Sequence, residues 1–242
     1  METDSVVILA LQYWKGDIEN AMRLARRIAG IEKSFRNDVE FLFVPRFDAP
    51  DPDRGTSALV SGKMRVSAYR TKRRGEGHPG GCNDMWHDLV GEMWRRTLHE
   101  KGFSGKCSGV FSFEADNVPL CADWLDRILV EWYAVRESRR NVWGCFMDSP
   151  APHINGNMIW VPGLFGQYSG LDGCPSQHAW DIFHAPKWVD SAFRSDQIVN
   201  FYRATNVPKS KLFDSKGRAK FALVHGVKDD SAWALAEKMM QV

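Results

Sequence analysis

Short unbroken apolar runs alternate along this chain with stretches whose apolar residues recur every three or four positions. Val6-Val7-Ile8-Leu9-Ala10-Leu11, residues 40–44 and Gly109-Val110-Phe111-Ser112-Phe113 are runs of the first kind. Such runs suit strands buried on both faces, as in a mainly parallel sheet covered by helices. Residues 142–146 and 158–161 predict two further strands, and Phe221-Ala222-Leu223-Val224 the last. Helical spacing begins after Asp17, where Ala21, Leu24, Ala25 and Ile28 share a face, with Asp17 as cap and Gly30 as stop. It returns from Asp84, with Met85, Leu89, Met93 and Arg96. A third helix is expected to open at Pro119, with Asp123 and Asp126 early and Trp124, Leu125, Ile128, Leu129 and Trp132 on its apolar side. Residues 196–202 have a helical pattern, 179–183 start a helix or turn, and a last helix starts at Ser231. Residues 63–69 read as extended. Residues 49–55, 70–83 and 163–175 read as loops from their Gly, Pro and charged content.

The strand–helix–strand opening predicts a Rossmann-like half within an α/β fold, a mixed and mainly parallel sheet flanked by helices. No repeat, low-complexity tract or linker divides the 242 residues, so a single domain over 1–242 is expected. The five cysteines are odd in number and form no CxxC pair, which argues against a disulfide framework or a zinc site. Scattered thiols fit a reducing compartment, and with no leader pattern or membrane-length apolar stretch the expectation is a cytoplasmic protein without a membrane partner. Ten tryptophans are many for this length. Most should fill the core, and any exposed remainder offers a surface that stacks on a sugar or a base. The net charge of +2 hides two basic stretches, 63–74 with no acid and 203–220 with Asp214 alone. They are either solvated loops or attractors of a polyanion, a donor diphosphate or nucleic acid.

The chemistry concentrates where strands end. Glu114-Ala115-Asp116 closes the run at 109–113 and precedes Asn117-Val118-Pro119. Ligands of open α/β sheets bind at the carboxyl ends of strands, and hard oxygen ligands there suit Mg²⁺ or Mn²⁺. The plain alternative is that Asp116 or Asn117 caps the next helix. Phe221-Ala222-Leu223-Val224 ends in His225-Gly226-Val227-Lys228-Asp229, where His225 is either structural or a further metal ligand. Lys228 offers a point charge to a phosphate, and Asp229 can equally be a helix cap. Pro152-His153-Ile154-Asn155-Gly156-Asn157 holds an Asn-Gly pair, a hairpin-turn signal whose amides also suit sugar hydroxyls. Asp181, in His178-Ala179-Trp180-Asp181, is a general-base candidate or a cap. Gly77-His78-Pro79-Gly80-Gly81-Cys82-Asn83 precedes a helix whose free amides can hold an anion, without the G-K-[ST] of a Walker loop.

Acid-x-acid after an early strand and His-Gly-x-Lys-Asp after a late one resemble a nucleotide-sugar glycosyltransferase of the GT-A fold. The His-Ile-Asn-Gly-Asn segment and the Gly-Pro-Asn loop are similar to those of phage and bacterial GT-A-like transferases. The resemblance runs in order from Val6 to Asp229. It implies a donor half over about 1–120 and an acceptor half over about 121–242. It implies metal ligation by Asp116 and His225, with Glu114 as a further ligand or a donor contact where the family usually has Asp. It also implies donor contacts from Asn83, Asn155, Asn157 and Lys228, with Asp181 as the base on the acceptor side. The expected donor is a nucleotide sugar, a UDP-sugar first, bound with Mn²⁺ or Mg²⁺. The expected acceptor is a hydroxyl on a glycan, a small molecule or a hydroxymethylated pyrimidine of phage DNA, which places a phage-encoded enzyme in the host cytoplasm. Two other classes compete. A sugar nucleotidyltransferase shares the strand-and-acid logic, but the segment 10–16 lacks its Gly-rich basic signature. A non-catalytic DNA-binding module explains the basic stretches but not the acids and imidazole at strand ends.

Overall fold

The first apolar run forms the middle of the molecule. In the computed structural model, which describes residues 5–164, 174–175 and 177–240, strand β1 (Val6–Tyr13) lies between β2 (Arg36–Pro45) and β4 (Cys107–Glu114), parallel to both. With β3 (Met64–Ala68), β6 (Val142–Met147), β7 (His153–Trp160) and β8 (Ala192–Arg194) they make a seven-stranded sheet in the order β3-β2-β1-β4-β7-β6-β8. Only the pairs β4–β7 and β6–β7 are antiparallel. A second sheet, β5-β10-β9, joins β5 (Val118–Pro119), β10 (Leu223–Val227) and β9 (Ile198–Ala204).

Two cores explain the unbroken apolar runs. Val7, Leu9 and Leu11 face helices α1 (Ile18–Ile31), α5 (Trp124–Glu137) and α8 (Ser231–Met240), whereas Ile8 and Ala10 face α3 (Cys82–His99). Successive strand residues point to opposite faces, so a strand covered on both sides must be apolar at every position. Most of the tryptophans are core: Trp86, Trp124, Trp132, Trp143, Trp160 and Trp188 are fully buried. The cysteines are unpaired. No described helix is long and apolar enough to cross a membrane.

Several expectations are corrected. The chain after the acid pair does not start a helix at Pro119, because Val118 and Pro119 pair with Val224 and Leu223. Helix α5 begins at Trp124 after Asp123, which leaves Asp116 and Asn117 too far upstream to cap it. Asn155-Gly156 is not a turn but lies inside β7, and residues 148–152 make the hairpin connection. Residues 198–204 are a strand rather than a helix. Their Ile-Val and Phe-Tyr pairs imitate helical spacing, but the ladder to β10 decides. Asp17 makes no side-chain cap, and α1 continues past Gly30 to Ile31. Helix α2 (Arg54–Ser61) starts within the segment read as a loop, with Asp53 accepting from the Thr56 amide as its cap. The short helices α4 (Phe103–Lys106), α6 (Trp180–Phe183) and α7 (Lys209–Leu212) complete the order. Of the Gly-rich loop expected over 163–175, residues 165–173 lie outside the described residues.

Candidate metal centre and donor cavity

A cavity of about 1100 Å³ opens at the carboxyl ends of β1 and β4 and reaches across to β9 and β10. The β1–β4 register sets Gln12 beside Glu114 at its floor. Glu114 is the last residue of β4, and the chain turns so that Asp116 faces the same space. From the second sheet His225 enters within β10, not after its end as the sequence suggested. Its Nε2 lies 2.8 Å from Glu114 Oε2 and 2.9 Å from Asp116 Oδ1. One ligand atom from each of Glu114, Asp116 and His225 falls within 4.8 Å of the others. Lys228 Nζ, just past β10, donates to Asp116 Oδ2 at 2.6 Å.

The acid loop is held by a buried amide network. Asn157 is fully buried. Its Oδ1 accepts the Glu114 amide at 3.1 Å and Asn117 Nδ2 at 2.5 Å. Asn117 also donates to the Glu114 carbonyl at 2.8 Å, and Asn157 Nδ2 donates to Asn155 Oδ1 at 2.9 Å. The sequence suggested that Asn155 and Asn157 touch the donor together. Asn155 does line the cavity, whereas Asn157 is spent on fixing the position of Glu114. Asn83 lines the cavity and also braces a loop. It is buried, with Oδ1 accepting the Trp180 amide at 2.9 Å and Nδ2 donating to the His178 carbonyl at 2.8 Å. It thereby anchors the segment that carries Asp181. Trp180 is further fixed by stacking on Trp86, centroids 4.0 Å apart and planes 9° apart. Asp181 lines the cavity from the first turn of α6.

The electrostatics separate the carboxylates. Burial pushes the Asp116 carboxyl up, but the hydrogen bonds and charges of His225 and Lys228 outweigh it and hold it well below the usual range. Burial pushes the His225 imidazole down, yet Asp116 and Glu114 outweigh it and raise it to about 9. Asp181 is raised by burial, with Glu114 adding and His153 opposing. Asp17, expected above as a helix cap, lines the cavity instead and is raised chiefly by burial, with further pushes from Asp116 and Glu114.

The donor set fits a hard divalent cation. Asp116 Oδ1 is buried without an aligned hydrogen bond, although it lies 2.9 Å from the imidazole. Two carboxylates with one imidazole match Mn²⁺ or Mg²⁺ better than a thiophilic ion. Proton linkage gives a check. Without metal, a His raised from 6.5 to about 9 contributes stability that is complete below pH 6.5 and is lost as pH rises through 9. A metal needs the neutral imidazole, so its stabilisation must grow over the same window. Melting temperature in chelator is therefore expected to fall between pH 6.5 and 9.5, and the increment added by Mn²⁺ to rise. Parallel curves with and without Mn²⁺ would exclude His225 as a ligand.

Sequence reading missed several lining residues. Gln12, Trp14, Asn200 and Tyr202 line the cavity, with Trp14 the exposed tryptophan and Tyr202 68% exposed. Neither basic stretch enters the lining except through Arg203. Arg70 is bound to Asp51, Arg73 to Asp88 and Arg218 to Asp214.

No protein-family model matches the sequence, and no curated protein matches it. Solved structures match the fold. The bifunctional glycosyltransferase WbbM aligns with a TM-score of 0.57 at 9% identity, over 100% of this chain and 53% of that one. An active-site mutant of LgtC aligns at 0.53 and 10% identity, over 96% and 93% of the two chains. TarS from S. aureus aligns at 0.51 and 9% identity, over 97% of this chain and 39% of its own. The chain thus spans about half the length, or less, of several structures that it matches, TarS and WbbM among them.

Proposed function

Starting from a chain with the GT-A fold, we propose that this protein is a metal-dependent glycosyltransferase that moves a sugar from a nucleoside-diphosphate sugar to an acceptor hydroxyl. The observation that carries the reading is the meeting of Glu114, Asp116 and His225, from two sheets, in a cavity wide enough for a nucleotide sugar. LgtC, whose fold is similar, has been solved with donor and acceptor sugar analogs.

Charge supports the role of a cation. Asp17, Glu114, Asp116, Asp181, Asp229 and Asp230 line the cavity against only Arg46, Arg203 and Lys228. So acidic a cavity repels a diphosphate unless a divalent cation is bound. Glu114, Asp116 and His225 would hold a Mn²⁺ or Mg²⁺ ion, which would supply Lewis-acid neutralisation of the charge that grows on the leaving diphosphate. Lys228 adds a fixed positive charge beside it. Asp181 takes the proton of the acceptor hydroxyl, and burial, which raises its affinity for protons, makes it a stronger base than an exposed carboxylate. Asn155 and Gln12 offer amides to donor hydroxyls. We assign most of the donor site to the half before about 120 and the acceptor to the half after it, with Asn155, His225 and Lys228 reaching the donor from the second half.

The primary assay incubates the protein with Mn²⁺ and a panel of nucleotide sugars, UDP-sugars first, and measures free nucleoside diphosphate. Its release supports the transferase. Pyrophosphate exchange would point instead to a nucleotidyltransferase, and affinity for DNA without turnover to a binding module.

For the acceptor, we take a hydroxymethylated pyrimidine in DNA as the first to test. A base must leave the duplex to reach a cavity of this depth, and the exposed rings of Tyr202 and Phe183 offer stacking surfaces. Exposed Lys72, Arg74, Lys209 and Lys211 lie in the two basic stretches. Charge reversal at Lys72 and Arg74 is expected to raise KM for such DNA and to flatten its salt dependence, with donor hydrolysis spared. Nucleoside mass spectrometry reads the product. Intact donor hydrolysis with no hexose on the DNA would exclude this acceptor.

A further inference from the structure

Tyr202 and Arg203 are consecutive residues of an edge strand, yet both line the cavity. Regular strands send neighbours to opposite faces. The alternation breaks because Arg203 has φ +54°, in the left-handed region that favours glycine. Two other described non-glycine residues share that sign, Arg139 just after α5 and Asn206 in a loop, so Arg203 alone has it inside a strand. The ladder shows how it is forced. His225 pairs with Asn200 but Val227 pairs with Ala204, so β9 carries extra residues that bulge between these two points. Opposite them Gly226 has φ +84°, and a Cβ there would come within 2.5 Å of Asn200 Oδ1 and 3.2 Å of the Phe201 backbone. The glycine lets the bulged strand approach, and the bulge brings the exposed Arg203 to the cavity's edge together with Tyr202.

Besides histidines, three basic side chains among the described residues line this cavity, and two of them form ion pairs. Arg46 is held by Asp48 through bonds of 2.6 and 2.7 Å, and Lys228 by Asp116 at 2.6 Å. Among the described residues Arg203 has no carboxylate within ion-pair distance. Ala204, its neighbour, pairs with Val227, the neighbour of Lys228, and the Lys228 amide donates to the Ala204 carbonyl at 2.8 Å. A backbone held off its preferred conformation, bringing to the cavity's edge an exposed guanidinium that lies over the Tyr202 ring, 5.2 Å from its centroid, and meets no described carboxylate, marks a candidate binding group.

We propose that Arg203 is a second phosphate-binding cation, which with Lys228 grips the diphosphate of the donor and of the departing nucleotide. The assignment rests on the transferase reading above. A planar guanidinium bonds two phosphate oxygens at once, whereas Lys228 gives one point charge. Arg203 then serves both donor affinity and stabilisation of the leaving group.

Arg203→Gly separates this role from a structural one, because glycine accepts φ +54° without strain. Calorimetry would follow inorganic pyrophosphate, UDP and GDP at saturating Mn²⁺. The expected result is binding weakened about ten- to a hundredfold, the loss of a charge-assisted bidentate contact. Melting temperature should stay level or rise, and the shift added by Mn²⁺ should stay intact. Arg203→Lys should lie between the variant and the parent. Unchanged affinity for pyrophosphate and both nucleotides in Arg203→Gly overturns the proposal. So does a variant that binds them normally but has a raised KM for acceptor, which would make Arg203 an acceptor residue. A parent protein that binds none of the three probes removes the transferase reading, and this proposal with it.

Discussion

Asp116→Asn is expected to lower turnover by at least about a thousandfold, some 4 kcal/mol of transition-state stabilisation, while the fold persists. The amide is isosteric and fits the same space, so packing is kept. What changes is charge at the one residue that meets both His225 and Lys228. A neutral oxygen is a poor ligand for Mn²⁺, and Glu114 with His225 alone makes an incomplete site. The variant should therefore also lose the melting-temperature shift that Mn²⁺ gives the parent protein. His225, deprived of a carboxylate that raises it, should titrate below its present value of about 9. Nucleoside-diphosphate release and thermal melts with and without Mn²⁺ measure both effects. Metal-dependent turnover within tenfold of the parent protein would remove Asp116 from the centre of the chemistry.

Asp181→Asn is expected to cut transfer by about two to four orders of magnitude while nucleoside-diphosphate affinity holds, the pattern of a lost general base. Its stability should move the other way. A carboxyl whose folded affinity for protons is raised by burial loses stability as pH climbs from its ordinary value through its folded one. Removing that charge should leave the variant at least as stable as the parent protein at neutral pH. The same titration sets the acid limb of the pH–rate profile, which the variant should lack. Asp181 sits firmly because Asn83 and the Trp86–Trp180 stack anchor the residue before it. Near-normal transfer by Asp181→Asn would reduce Asp181 to a residue of the α6 turn.

The central strands were legible because burial on both faces leaves a plain signal, a run with no polar break. Helices α1 and α3 were legible from the spacing of their apolar residues. The edge of the second sheet was not. In β9 the residues Ile198, Val199, Phe201 and Tyr202 are spaced as on a helix, and only pairing with a strand some 25 residues later overrules that. Pro119 and Asn155-Gly156 each gave a strong local signal that a tertiary partner cancelled. The site divides in the same way. Glu114, Asp116, His225, Lys228 and Asp181 were accessible because charged groups beside apolar runs stand out. The bracing bonds that Asn157 makes, and that Asn83 makes while it also lines the cavity, were not, because an amide that binds a ligand and an amide that ties two loops together look alike in sequence. Arg203 was visible only as one charge in a basic stretch, since a backbone dihedral leaves no mark on composition.

The contact between Glu114 and His225 spans 111 positions of the chain and joins two separate sheets. Such a long loop closes late, after local and neighbouring-strand contacts have formed. The proposed ion-binding triad therefore exists only once β10 has docked. A cation that recognises the finished triad gives nothing to the folding transition state. It should slow unfolding, lengthening the life of the native protein, and leave the rate of refolding unchanged.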